Sequence, residues 1–265
     1  MNDTSLVLVE RDGPLTLVTL NDPDRANPLS PRLVAELTAA LEAAAEDPSI
    51  RAVILHGAGR HFSAGADLEA LEQVASGGDL ETNRADSERL RKLFEVLLGH
   101  PKLTVAAVHG AAVAGGCGLA TACDLVIAEP RSRFAYTEVK IGFVAALVST
   151  FLTRRVAGHV ARRLLLAPEM LDGVRAVDLG LADELCADGE SVVRARELAT
   201  SICRAASPSA LAATKRLLDD TVGLGWREAL DHAAEVNVSQ RLEPDCRRGV
   251  RSFLDTRTTP DWLDQ

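Results

Sequence analysis

Two segments of this chain place small residues where an apolar run gives way to a new helix. The first is Val53-Ile54-Leu55-His56-Gly57, followed by His61-Phe62-Ser63-Ala64-Gly65-Ala66-Asp67-Leu68. The second is Thr104-Val105-Ala106-Ala107-Val108, followed by Gly110-Ala111-Ala112-Val113-Ala114-Gly115-Gly116-Cys117-Gly118. Small side chains let a ligand approach the main chain, and the first turn of a helix leaves backbone N–H groups without acceptors. Two such turns brought together aim two N–H groups at one oxygen atom, which is an oxyanion hole. The other reactive groups in these stretches support different chemistry less well. Cys117 has no His or basic residue beside it in sequence, so its thiol reads as packing rather than as a nucleophile. No Ser/His/Asp order fits His61 and Ser63, and His61 reads as a loop-closing residue.

The chain has 265 residues, of which 47% are hydrophobic and 25% charged. That is enough for one large α/β domain with a substantial core, or a domain with a smaller appendage. A net charge of −9 argues against a general nucleic-acid binder, which needs a basic face. The five cysteines are odd in number and lack a C-x-x-C pair, so reduced thiols are expected rather than a disulfide framework or a metal site. Met1-Asn2-Asp3-Thr4 has no basic start and no apolar signal core follows it. Apolar runs are short and broken by charges. The expectation is a cytoplasmic protein without a membrane segment.

The elements that must carry the two turns are legible in outline. Ser5–Glu10 and Leu15–Leu20 read as strands joined around Asp12-Gly13-Pro14, and Asn21–Asn27 as a loop. Ser30 reads as an N-cap with Pro31 at the first helical position of a helix to about Glu46. Strands follow at Arg51–Gly57, Leu103–Val108 and Leu125–Ala128. Helices follow from Asp67, over about Glu81–Leu98 after a Ser76-Gly77-Gly78-Asp79 loop, and over Gly115–Ala122. This alternation predicts α/β architecture with right-handed crossovers. Beyond about Arg155 the pattern becomes almost wholly helical, through segments ending near Leu254. The expected organisation is an α/β core over residues 1–195 and a helical region over 196–265.

The same residues carry a resemblance. The chain resembles the crotonase superfamily, the enoyl-CoA hydratases and isomerases, over essentially its whole length. The matching segments begin with Asn21-Asp22-Pro23, Asn27-Pro28-Leu29-Ser30 and the run Gly57-Ala58-Gly59-Arg60-His61-Phe62-Ser63-Ala64-Gly65-Ala66-Asp67-Leu68. They continue through Gly110, Gly115-Gly116, Ala122-Cys123-Asp124-Leu125, Phe134, Glu138, Ile141-Gly142, Ala176 and Gly180-Leu181. They end at Gly249-Val250-Arg251-Ser252-Phe253-Leu254 with Arg257, Pro260 and Trp262. The resemblance implies a crotonase-like spiral of ββα units with a helical C-terminal trimerisation region, so that a homotrimer or homohexamer is expected. It implies an acyl-CoA substrate, with coenzyme A entering as part of the thioester and no separate cofactor. It places the oxyanion-hole N–H groups on Ala66 and Gly115. It places coenzyme A contacts at Arg25, Ala26, Ala64, Asp67, Leu68 and Gly116. Asp124 is expected to be structural.

The best-known hydratases of this family use two glutamates, the first within a Gly-Gly-Gly-Cys-Glu pattern. Here that stretch reads Ala114-Gly115-Gly116-Cys117-Gly118, and glycine offers no proton donor or acceptor. The second glutamate falls on Glu138, amid Phe134, Val139 and Ile141, where apolar surroundings would raise its pKa toward that of a useful base. One carboxylate is consistent with three outcomes. A hydratase would move a proton between water and the α-carbon through Glu138, a Δ3-Δ2 enoyl-CoA isomerase would move one from C2 to C4, and an acyl-CoA binding protein would do neither. The stretch Glu138-Val139-Lys140-Ile141-Gly142-Phe143-Val144-Ala145-Ala146 resembles methylglutaconyl-like hydratases, which favours the hydratase, although Ala145 stands where those members have proline.

Overall fold

Alternating apolar residues on short strands give the main sheet two buried faces. The computed structural model describes residues 5–77 and 79–264. Strands β1 (Val7–Asp12) and β2 (Leu15–Leu20) form an antiparallel hairpin that turns at Gly13, where φ is +57°. With β4 (Ala52–Gly57), β6 (Leu103–Val108), β8 (Leu125–Ala128) and β11 (Glu184–Leu185) they make a six-stranded sheet in the order β1-β2-β4-β6-β8-β11. All pairs after the hairpin are parallel. Every residue of β6 is buried, as a strand covered on both sides requires.

The two faces bury different residues of the same strands. Val53, Leu55, Ala106 and Val108 join a large core with α1 (Pro31–Glu46) and α3 (Leu80–Leu98). Ala52, Ile54, Val105 and Ala107 face α8 (Ser191–Ala205) through Ala195, Ala199 and Cys203. A boundary at 195/196 therefore falls inside α8, a helix that belongs to the α/β core. Helix α1 begins as expected, with Pro31 at its first position and the Ser30 hydroxyl accepting the Leu33 N–H at 3.2 Å.

The remaining elements are short. A 3-10 turn at Pro23–Arg25 leads to β3 (Pro28–Leu29), which pairs with β5 (Gly65–Ala66). Strands β7 (Ala111–Val113), β9 (Arg133–Ala135) and β10 (Leu171–Asp172) form a second sheet. Runs of two or three residues carry no periodicity, so the sequence reading passed over β3, β5, β7, β9, β10 and β11. Helix α2 (Leu68–Gly77) takes in Ser76 and Gly77, for which the small-residue run predicts a loop; Gly78 lies outside the described residues. Helix α4 is Gly115–Thr121, α5 Ala146–Arg155, α6 Gly158–Leu166 and α7 Gly173–Asp178.

Helices α9 (Pro208–Asp220), α10 (Trp226–Leu242) and α11 (Pro244–Thr256) hold no buried residues in the single chain. Helix α9 is tied to the core by Leu211 and by charge. Lys215 donates to Asp124 Oδ2 at 2.6 Å and to the Lys102 carbonyl at 2.8 Å. The same carboxylate oxygen accepts the Thr104 N–H at 2.7 Å and its hydroxyl at 2.9 Å. Asp124 is thus the structural acid expected of it. Among the described residues no helix is long and apolar enough to cross a membrane. Removing one partner of a shielded polar network costs roughly 1–3 kcal/mol. Asp124→Ala should lower the unfolding free energy by about that amount in urea denaturation; an unchanged midpoint would show that the tie does not matter.

Candidate active site

The turn from β4 to α2 and the turn from β7 to α4 meet through their main chains. Phe62 donates its N–H to the His109 carbonyl at 3.1 Å and Ser63 to Ala111 at 3.0 Å, while Val113 donates to Ser63 at 3.0 Å. Gly116 makes this approach possible, since a Cβ there would stand 2.5 Å from the Ser63 carbonyl oxygen and 2.7 Å from its Oγ. Asn27, buried and in the left-handed region, braces the first turn by donating to the carbonyls of Ala58, His61 and Phe62 at 3.0, 2.8 and 3.2 Å. The sequence reading gave Asn27 no such role, because its acceptors lie more than thirty residues away. His61 Nδ1 accepts the Ala111 N–H at 3.2 Å, which makes it the loop-closing residue expected. Ser63 is fully buried, and its hydroxyl donates to the Asn27 carbonyl at 2.8 Å.

The two expected donors lie side by side. Ala114 holds φ +50° and ψ −126°, a conformation that favours glycine, with strain of order 1–3 kcal/mol. It is fixed by its N–H to the Ala135 carbonyl at 2.8 Å and by its own carbonyl, which accepts the Gly118 N–H at 3.0 Å. That is the first bond of α4, so the Gly115 N–H is among those the helix leaves without an acceptor. Ala66 sits opposite Leu29 in the β3–β5 pair. A Cβ built on Gly115 would be 3.2 Å from Leu29 Cδ1 and 3.9 Å from the Ala66 nitrogen.

Glu138 opens a 3-10 turn, Glu138–Ile141, and is 8% exposed. Its Oε2 is buried without a hydrogen-bond partner, and burial pushes its pKa up. With Ala66 and Gly115 it lines a cavity of about 270 Å³ whose other walls are mostly apolar, including Leu29, Val34, Leu71, Leu90 and Phe94. A second cavity of about 310 Å³ shares Ala66, Asp67, Leu71, Glu138 and Phe143 with the first and adds Arg25, Ala64 and Leu68. An apolar interior thus adjoins a mouth that also carries the charged side chains of Arg25, Asp67 and Glu69, with the carboxylate and Ala66 common to both.

Not every expected residue lines these spaces. Gly116 packs on Ser63, and Ala26 meets Ala64 through its carbonyl, which accepts the Ala64 N–H at 2.8 Å. Arg25 reaches the mouth but is held by carboxylates: both oxygens of Asp67 at 3.0 Å, Glu69 at 3.1 Å and Asp22 at 3.7 Å. These hold its guanidinium pKa above the usual value, led by the Asp67 hydrogen bond. Asp67 also caps α2, accepting the N–H groups of Glu69 and Ala70.

The acyl pocket draws on segments distant from one another in sequence. Helix α3 contributes Leu90 and Phe94, and Phe143, Val144, Ala145, Leu147 and Val148, just after Glu138, supply a comparable share. The apolar run Phe143–Val148 was the available signal. A Cβ on Gly118 would fall 2.5 Å from Val148 Cγ2 and 3.4 Å from Phe94 Cζ, so apolar side chains fill the place of the absent first glutamate.

Known proteins resemble this chain over nearly its whole length. The family model for enoyl-CoA hydratase/isomerase matches residues 10–265. A Thermus thermophilus protein provisionally assigned as an enoyl-CoA hydratase is 44% identical over 252 residues, covering 95% of this chain and 98% of that protein. The 2,3-dehydroadipyl-CoA hydratase of Escherichia coli is 31% identical, covering 97% and 98% of the two chains. A crystal structure of an enoyl-CoA hydratase/isomerase from Marinobacter aquaeolei superposes with a TM-score of 0.89 at 30% identity, covering 98% of this chain and 100% of that one. The chain belongs to the enoyl-CoA hydratase/isomerase family and has the crotonase fold.

Cys117 is fully buried, and burial pushes its thiol pKa up to about 12, as it does for Cys123. A thiol with so little thiolate is a poor nucleophile. Native alkylation with iodoacetamide at pH 8, read by peptide mass, should leave both cysteines unmodified until the protein unfolds; rapid labelling of Cys117 in the folded state would contradict the packing role.

Proposed function

We propose that this protein hydrates a 2-enoyl-CoA, with the N–H groups of Ala66 and Gly115 holding the thioester oxygen and Glu138 carrying the proton. The observation that carries this reading is the buried, unpartnered Oε2 of Glu138 in the cavity that Ala66 and Gly115 also line. Ionised Glu138 takes a proton from water as the water oxygen bonds to C3. The electron pair of the double bond moves toward the thioester, and the enolate oxygen is held by the two N–H groups. Glu138 then returns its proton to C2, so water adds across one face and the carboxylate is regenerated. The apolar surroundings of Glu138 favour proton acceptance at neutral pH. In this reading coenzyme A extends from the mouth, past Arg25, Ala64, Asp67 and Leu68, while Ala26 and Gly116 shape the turns behind it. No separate cofactor or metal is needed. The names of the relatives support hydration.

A second reading is the Δ3-Δ2 isomerase, and one observation favours it. Val148 and Phe94 occupy the place of the first glutamate, leaving no second carboxylate there to hold a water. Glu138 would then take the C2 proton of a 3-enoyl-CoA and return it at C4. Separate incubation with a 2-enoyl-CoA and a 3-enoyl-CoA, followed by product mass, distinguishes the two. A gain of one water is expected from the first; an unchanged mass with a shifted double bond from the second would establish the isomerase. Tight binding with no change in either would make the protein a carrier.

We also propose a homotrimer or homohexamer acting in the cytoplasm. Support for association comes from exposed apolar residues on α9–α11, including Leu218, Trp226, Leu242 and Phe253.

Glu138→Gln separates the chemical cost of this carboxylate from its structural cost. A positioned general base contributes about 10²–10⁴-fold, so turnover should fall by at least about 100-fold. Because the folded pKa is raised, the native state holds its proton more tightly than the unfolded chain does, and stability falls as pH rises through that range. The variant should therefore melt higher than wild type at pH 8, the gap closing as pH falls. Undiminished turnover would remove Glu138 from the mechanism.

A further inference from the structure

The chain's single tyrosine stands behind the candidate site, between its two halves. Tyr136 lies two residues before Glu138, is 2% exposed and lines neither cavity. Its hydroxyl is 2.9 Å from Thr121 Oγ1. Cys117 and Thr121 are four residues apart, on one face of α4, the helix whose first residue is Gly115. The Thr121 hydroxyl lies 2.9 Å from the Cys117 carbonyl oxygen and 3.2 Å from that of Gly118. Carbonyls only accept, so Thr121 gives its proton to the helix and the tyrosine donates to Thr121. A second tie is main-chain, the Ala114 N–H to the Ala135 carbonyl at 2.8 Å. The residues just before Gly115 and Tyr136 are thus joined, and the tyrosine hydroxyl grips the helix one to two turns further on.

We propose that Tyr136 is a positioning residue: with the Ala114–Ala135 bond, its hydroxyl on Thr121 fixes the Gly115 N–H relative to Glu138. The two points of attachment lie at opposite ends of α4. The Ala114 bond restrains the start of α4 and the tyrosine hydroxyl its end, so that loss of either lets the helix shift within its packing and moves the N–H that its first residue presents. The strained backbone at Ala114 makes a second restraint useful, because relaxation there would rotate the same N–H. This rests on the reading of Gly115 and Glu138 given above.

The test is a double-mutant cycle of Tyr136→Phe and Thr121→Val, with Thr121→Ser as the conservative variant. Phenylalanine keeps the ring, and Thr121 retains its helix carbonyl, so Tyr136→Phe should fold. Misplacement of a catalytic group by about 1 Å can cost about 100-fold, so kcat should fall by about 10- to 100-fold with KM little changed. The double variant should be no worse than the more impaired single one, and Thr121→Ser should restore most of the rate. A second readout needs no turnover: the enolate fraction of bound acetoacetyl-CoA, followed by near-ultraviolet absorbance, should fall in Tyr136→Phe. A merely structural role would lower the melting temperature and leave kcat and enolate band intact, and that result would overturn the proposal, as would additive losses. Loss of the band in Tyr136→Phe, with wild type turning over neither enoyl isomer, would uphold the positioning role and sink the hydratase reading. A wild type with neither band nor turnover would overturn both.

Discussion

The main-chain contact between Ser63 and the Ala111–Val113 strand is the constraint on which the site depends. Its hydrogen bonds bring together two helix-forming turns about fifty residues apart in sequence. Such an approach leaves no room for a side chain at Gly116, and it sets Ala66 beside Gly115. Everything chemical in the site is referred to that junction. Glu138 faces the cavity it creates, and the apolar segment after Glu138 closes the far wall. The main chain suits this task, since its donors are held by the fold and need no rotamer to be ordered.

Around the junction the protein keeps features that stability alone would remove. Ala114 occupies a backbone region that suits glycine, and Glu138 keeps a buried carboxylate oxygen without a partner. Both are local costs, and both sit where a ligand would bind. By contrast the polar residues behind the site are satisfied. Ser63, Asn27, Thr121 and Tyr136 all have hydrogen-bond partners within the chain. The unpartnered oxygen of Glu138 thus lies at the cavity, and the satisfied groups behind it support the site.

Several chemistry-bearing residues are occupied by the fold itself. Arg25 is held by three carboxylates, His61 accepts a backbone N–H, and Cys117 is sealed in the core. The place of a second glutamate is taken by Val148 and Phe94 rather than left open, so Gly118 is part of the packing of this wall. In the proposed mechanism, proton transfer then falls to Glu138 with the water or substrate.

Much of the fold was legible in the sequence, because long elements announce themselves by periodicity and caps. Helix α1 with its Ser30-Pro31 start, strand β6 and strand β8 all lie where pattern and capping place them. The pair of small-residue turns and the lone glutamate in an apolar stretch were also readable, as local composition. Strands of two residues were not, since a period needs several repeats to show. Nor could the sequence tell that Asn27 braces the first turn, that Gly116 faces Ser63 while Gly115 faces Ala66, or that Val148 fills the space beside Gly118. The sequence by itself determined which residue types were available and which helices and strands would carry them. Only the tertiary structure decided which of them meet, because hydrogen bonds and packing between distant segments depend on how the strands lie side by side.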